Sequence, residues 1–260
     1  MSVGYLCDQQ VARITISRPE RRNALNYEAM DQLHDAVKRA RSDHAQGILR
    51  ALILTGAEGQ FCSGADLKEL EDLAFTQALR LMLDDLAGLE VPTIAAISGA
   101  CMGLGMQLAV SCDLRIATPE AKFAVPVAKL GLMVDHWTVQ RLVALAGHSA
   151  ARWLMLTAQP ITAQRAYELG LIQELVVVPE GQAGTSVLDA AENLAQQIAQ
   201  LAPLALAGSK LGLNLLERPA LSTDSQGEYR AAFTAAWASE DLVEGRSAFA
   251  ERRKPEFKGR

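Results

Sequence analysis

Aromatic residues are scarce in this chain, at 5% of the total, which leaves no ring-rich surface on which nucleic-acid bases could stack. Positive charge is short as well: 25 Lys and Arg face 30 Asp and Glu, a net charge of -5. No basic field is available to gather a polyanion, so no nucleic-acid partner is expected. Long apolar runs are missing. The stretches around residues 91–100 and 104–110 are broken by Gly and Pro, and a membrane span needs roughly 18 to 20 apolar residues. The opening MSVGYLCDQQVARITISRPE carries neither the charged region nor the apolar core of a secretory leader, so a soluble cytoplasmic protein is expected. Cys7, Cys62, Cys101 and Cys112 fall in no C-x-x-C spacing and read as reduced core thiols. The four histidines form no H-x-x-x-H pair, so a zinc hydrolase has no support, and neither a metal nor a resident cofactor is expected.

What is present is apolar material: half of the 260 residues are hydrophobic, enough for one sizeable core or a core with a small appendage. Short β-type segments at residues 3–6 and 11–17 open the chain, the second ending at Arg18-Pro19 because proline cannot continue a ladder. Asn26 suits the N-cap of a helix reaching about Arg41, with Met30, Leu33, Val37 and Ala40 on one stripe. ALILT at residues 51–55 reads as a buried strand, and a long amphipathic helix is expected from Asp66 to about Leu89. A strand at residues 93–97, a glycine turn, a helix at 105–111 and a strand at 113–117 follow. That alternation predicts an α/β core. From Ser149 onward the pattern is mainly helical. The expected organisation is a core over residues 1–200 and a helical C-terminal region over 201–260.

Two glycine turns carry the chemical signal: Phe61-Cys62-Ser63-Gly64-Ala65-Asp66 and Ser98-Gly99-Ala100-Cys101-Met102-Gly103-Leu104-Gly105. Each runs from a strand edge into a helix, whose first N–H groups are unpaired and carry positive dipole character. Two such ends facing one cavity would form an oxyanion hole. Each turn taken alone is equally well explained by close helix–strand packing. The spacing of Gly99, Gly103 and Gly105 is not G-x-G-x-x-G, which disfavours a dinucleotide site.

Together the blocks are specific. SRPERRNALN, FCSGADLKEL and SGACMGLGMQLAVSCDLRIA, followed by KFAVPVAKLGL, GHSAARWLMLT, ITAQRAYELGLIQELV and KPEFKGR, resemble in order the signature blocks of the crotonase (enoyl-CoA hydratase/isomerase) superfamily. The resemblance implies a spiral of ββα units with a C-terminal helical trimerisation region, assembled as a homotrimer or a dimer of trimers. It implies a coenzyme A thioester as ligand. Its oxyanion hole would be the amides of Ala65 and Leu104, where the family usually has Gly at the second position. Ala24, Asp66, Leu67 and Lys68 would line the coenzyme site, and Lys210 or Lys254 would meet its phosphates.

Hydratases of this family use two glutamates to hold and activate water; here those positions fall on Gln107 and Val127. An amide orients water but takes no proton from it at neutral pH, and valine does neither. Asp135 matches the place where dienoyl-CoA isomerases and aroyl-CoA dehalogenases carry a catalytic aspartate. It suits better still the N-cap of a helix over residues 136–145, and both roles can hold together. Burial there would make it a better general base. His136 reads as a first-turn helix residue, Trp137 as packing or a wall of an acyl tunnel, Lys129 as solvated or paired with Asp135, and the stripe Leu79, Leu83, Leu86, Leu89 as core. Gln107, the 123–132 segment and Asp135-His136-Trp137 further resemble a degenerate paralogue group that binds long acyl-CoAs for lipid synthesis. The expectation is therefore a fatty acyl-CoA binder, with an acyl-CoA lyase or isomerase using Asp135 and a carrier serving a lipid synthase as alternatives. A serine protease lacks support, since Ser98, His136 and Asp113 lie in no suitable motif.

Overall fold

The computed structural model describes residues 1–66, 73–177, 186–216, 234 and 237–256. Strands β1 (Val3–Asp8) and β2 (Val11–Ile16) form an antiparallel hairpin. Its turn is made by Gln9 and Gln10, both at positive φ (47° and 66°), the backbone that matches strand twist in a two-residue hairpin. Side chains there need not be glycine, and β1 runs two residues past its expected end. Strands β3 (Ala51–Gly56), β4 (Thr93–Ile97), β6 (Leu114–Ala117) and β9 (Glu174–Leu175) add in parallel to β2, giving the order β1-β2-β3-β4-β6-β9.

The uninterrupted apolar character of these strands follows from burial on both faces. Leu52, Leu54, Ala95 and Ile97 point to the main core, shared with α1 (Tyr27–Ala45) and α2 (Leu73–Ala87). Ile53, Ile94 and Ile116 face the other way, against Val187, Ala191, Ala195 and Ile198 of α6 (Val187–Ala199). Asn26 caps α1 as expected, accepting from the Ala29 N–H at 2.9 Å.

A second sheet stands where the sequence suggested only a turn. Strand β5 (Ala100–Met102) pairs in parallel with β7 (Lys122–Ala124), which pairs antiparallel with β8 (Ile161–Thr162). Helix α3 (Leu104–Ser111) follows β5 directly and is buried along its whole length. Its C-terminal carbonyls are held by two buried arginines: Arg115 Nη1 donates to Ala109 O (3.3 Å) and Cys112 O (2.8 Å), and Arg141 Nε donates to Val110 O (2.8 Å). Both cations also complement the negative end of the helix dipole. Burial lowers the Arg115 pKa to about 10.

Helix α4 (His136–Thr157) is broken at Gly147 (φ 77°, ψ 161°), so its first segment ends near the expected place. The remaining described helices are α5 (Ala163–Glu168), α7 (Pro203–Leu216) and α8 (Glu240–Glu251). Among the described residues no helix is long and apolar enough to cross a membrane.

Candidate functional site

The two glycine turns meet, and glycine is what lets them. At Gly64 (φ 124°) a Cβ would lie 3.3 Å from Met102 O. At Gly105 a Cβ would overlap the Cys62 carbonyl oxygen, so the first turn of α3 packs directly on the first glycine turn. A parallel bridge between Leu25 and Ala65 fixes the latter. Leu25 N donates to Gly64 O at 2.9 Å and Asp66 N to Leu25 O at 2.8 Å. This pattern turns the Ala65 N–H to the opposite side. The Leu104 N–H is the first of α3 and has no intrahelical acceptor. Neither amide is donated to another group among the described residues.

Two buried thiols brace these turns. Cys62 Sγ donates to Gly64 O at 3.6 Å and Cys101 Sγ to Gly105 O at 3.5 Å. Burial pushes the Cys62 pKa up to about 12, so it stays a neutral donor at physiological pH, in keeping with the reduced core thiols read from the sequence.

Ala65 and Leu104 open onto a cavity of about 990 Å³. Phe75, Leu79, Leu132 and Val134 supply apolar wall, Phe249 of α8 closes one side, and Arg21, Arg22 and Arg246 bring positive charge. Residues on both sides of position 200 therefore line one space. Ala24, Asp66, Gln107, Val127 and Asp135 line it too, so the structure gathers most of the residues singled out from the sequence.

The polar end of this cavity is a closed knot. Asp135 caps α4, its Oδ1 accepting from Thr138 N at 3.1 Å, and the same oxygen lies 3.2 Å from Arg80 Nη1. Its Oδ2 accepts from Thr138 Oγ1 (2.7 Å) and from Gln107 Nε2 (2.9 Å). Gln107 Nε2 also donates to Thr138 Oγ1 at 3.0 Å. The Arg80 guanidinium stacks on the Trp137 ring at 4.1 Å and lies 2.9 Å from Asp84. Asp135 thus has four donors, one of which, Arg80, is also its counter-ion, and it fills the N-cap role read from the sequence.

Other expectations are corrected. Lys210 does not line the cavity: it is buried, with Nζ donated to Val91 O (2.9 Å) and Asp113 Oδ2 (2.7 Å), so its charge holds α7 against the N-terminal ends of β4 and β6. Lys129 is exposed, in line with its solvated reading, and Lys254 is exposed too; the cation paired with Asp135 is Arg80. Leu67 and Lys68 lie outside the described residues. Of the leucine stripe, Leu79 reaches the cavity whereas Leu83, Leu86 and Leu89 are core. Arg80 was missed altogether; its one local signal is the i,i+4 spacing to Asp84 on α2. Arg21 and Arg22, both within the SRPERRNALN block, line the cavity as well.

Fold and site together define a class: an α/β protein with two unpaired amides at the head of a largely apolar cavity. The enoyl-CoA hydratase/isomerase family model matches residues 7–260, and the chain belongs to that family, within the crotonase superfamily. It is 35% identical to the probable enoyl-CoA hydratase echA6 of Mycobacterium leprae, over 99% of each chain. It is 36% identical to the 2,3-dehydroadipyl-CoA hydratase of Escherichia coli, over 97% of this chain and 96% of that one. Among solved structures, a methylmalonyl-CoA decarboxylase in complex with 2-nitronate-propionyl-CoA superposes with a TM-score of 0.88 at 29% identity, covering 100% of this chain and 99% of that one. The spiral α/β fold expected from the sequence is the fold observed.

Proposed function

We propose that this chain binds fatty acyl-coenzyme A thioesters and holds them without hydrating them. The thioester oxygen accepts from the amides of Ala65 and Leu104, where the α3 dipole favours the partial negative charge. Arg21, Arg22 and Arg246 place positive charge along the same cavity for the phosphates, beside Ala24 and Asp66. The acyl chain lies against Phe75, Leu79, Leu132 and Phe249.

The observation that carries this reading is the closed knot at Asp135. Hydration needs a positioned group that takes a proton from water, and losing one such group costs on the order of 10² to 10⁴ in rate. The Gln107 Nε2 group donates to Asp135 and Thr138, the Val127 side chain has no polar atom, and the Asp135 oxygens each accept two donors. Calorimetry with saturated acyl-CoAs of increasing length tests the binding. Each buried CH₂ contributes about 0.8 kcal/mol, or about fourfold in affinity, until the cavity is filled; a flat series sinks the reading.

A second reading, an acyl-CoA lyase or isomerase acting through Asp135, is supported by that carboxylate's place on the cavity wall. It requires the knot to open, and any turnover would vanish in Asp135→Asn. Delivery of the bound acyl group to a lipid-synthesis enzyme fits a protein that grips without reacting. Self-association as a trimer or dimer of trimers is supported by the apolar face of α7, where Leu204, Leu211 and Leu215 are 87%, 61% and 57% exposed. Sedimentation equilibrium decides the mass.

A further inference from the structure

The C-terminal end of α3 holds a buried charge with no carboxylate set against it. Arg115 is 1% exposed, and a guanidinium carries five N–H donors. Each meets a neutral oxygen: Nε donates to Leu171 O (2.6 Å), Nη1 to Ala109 O and Cys112 O, and Nη2 to Asp113 O (3.2 Å) and Gln173 Oε1 (3.3 Å). Arg115 and Asp113 form no ion pair; the Asp113 Oδ2 accepts instead from Lys210 Nζ (2.7 Å), Thr93 N (2.7 Å) and Thr93 Oγ1 (2.9 Å). Arg141, 7% exposed, brings a second cation to Val110 O. Burying a guanidinium among neutral partners is costly, so its charge calls for an explanation beyond capping.

Helix α3 joins that charge to the cavity. Its eight residues rise about 12 Å, and every one of them is buried, so solvent screens little along the way. The two guanidiniums cover the carbonyls of Ala109, Val110 and Cys112, the negative end of the dipole. The positive end, at the Leu104 N–H, is left uncancelled.

We infer that Arg115 and Arg141 are positioning residues for the thioester grip that act by charge: through α3 they set how strongly the Leu104 amide holds a thioester oxygen that carries negative charge. This rests on the acyl-CoA reading above. At an effective dielectric constant of about 20, one unit charge about 12 Å from an enolate oxygen changes its stability about tenfold.

The test titrates acetoacetyl-CoA bound to the full chain. On losing a proton from its second carbon to the buffer this thioester becomes an enolate that absorbs in the near ultraviolet, so absorbance reads the enolate-to-keto ratio. The titration stays well below the Arg115 pKa of about 10, where that cation keeps its proton. Arg115→Met, which removes charge and donors together, is expected to lower the ratio at a given pH about tenfold. Arg115→Lys, which keeps the charge with fewer donors, is expected to hold the ratio within about twofold of native. Butyryl-CoA, whose thioester oxygen stays neutral, is the control, and its affinity should change by about twofold or less in either variant. A purely structural cap predicts otherwise: Lys and Met lower the ratio alike, or both thioesters weaken alike, and either result overturns the inference. Arg141→Met and Arg141→Lys repeat the comparison at the second cation and decide it if Arg115→Met fails to fold. A ratio on the native protein no higher than that of free acetoacetyl-CoA also overturns the inference and needs no variant. No binding of either thioester by the native protein overturns the acyl-CoA reading and the inference with it.

Discussion

Removing the Asp135 carboxylate separates a structural knot from a poised base. In Asp135→Ala the α4 cap onto Thr138 N is lost, which costs about 1 kcal/mol. Gln107 Nε2 loses one acceptor and Arg80, only 21% exposed at its side chain, loses its 3.2 Å partner. Stranding partly buried donors adds about 1–3 kcal/mol, for a total of about 2–4 kcal/mol. Asp135→Asn keeps a competent cap and an acceptor oxygen but no charge, so it should cost about half as much. Urea unfolding of the three proteins gives both differences, provided the slopes agree. A cost below about 0.5 kcal/mol for Asp135→Ala would falsify the idea that the carboxylate is held by this knot. It would return Asp135 to the list of free acid–base groups.

Gly105→Ala forces a methyl group into the Cys62 carbonyl and should separate the two amide-bearing turns. At least a tenfold loss of acyl-CoA affinity is expected by calorimetry, together with a stability loss of about 1–3 kcal/mol; unchanged binding contradicts the paired-turn geometry. Arg115→Met strips donors from the carbonyls of Leu171, Ala109 and Cys112 and should cost about 3–5 kcal/mol, read as a lowered melting temperature. Alkaline pH tests the buried thiols. Burial raises the pKa of Cys62 and Cys112 to about 12, against about 8.5 in the unfolded chain. The unfolded state therefore releases protons first, and stability falls as pH rises above about 8.5, by roughly 1.4 kcal/mol per pH unit per thiol. Cys112→Ala should remove one thiol's share of that slope.

What the sequence made legible was local. Asn26 and Asp135 were readable as caps because each accepts from an N–H three residues on. ALILT was readable as a buried strand because both faces of the sheet are covered. The hairpin turn at Gln9-Gln10 carries none of the usual Gly or Asn signals, although both residues adopt the positive φ such turns need. Strand β5 is three residues long between glycines, so its pairing with β7 left no periodic trace. The site's ion pairs were hidden for a different reason. Arg80 meets Asp135 across 55 residues and Lys210 meets Asp113 across 97, and neither partner can be read from its own neighbourhood. Order along the chain pointed to the two glycine turns, but only the fold shows that Gly64 and Gly105 bring them into contact.

The most direct test of a thioester grip without hydration is the loss of the enoyl absorbance of crotonyl-CoA in the presence of the pure protein. With Gln107 and Val127 in place of the two glutamates and Asp135 tied up, the absorbance should decay no faster than in buffer at protein concentrations sufficient to bind the thioester. Rapid, protein-dependent bleaching with accumulation of the 3-hydroxy thioester would contradict the account.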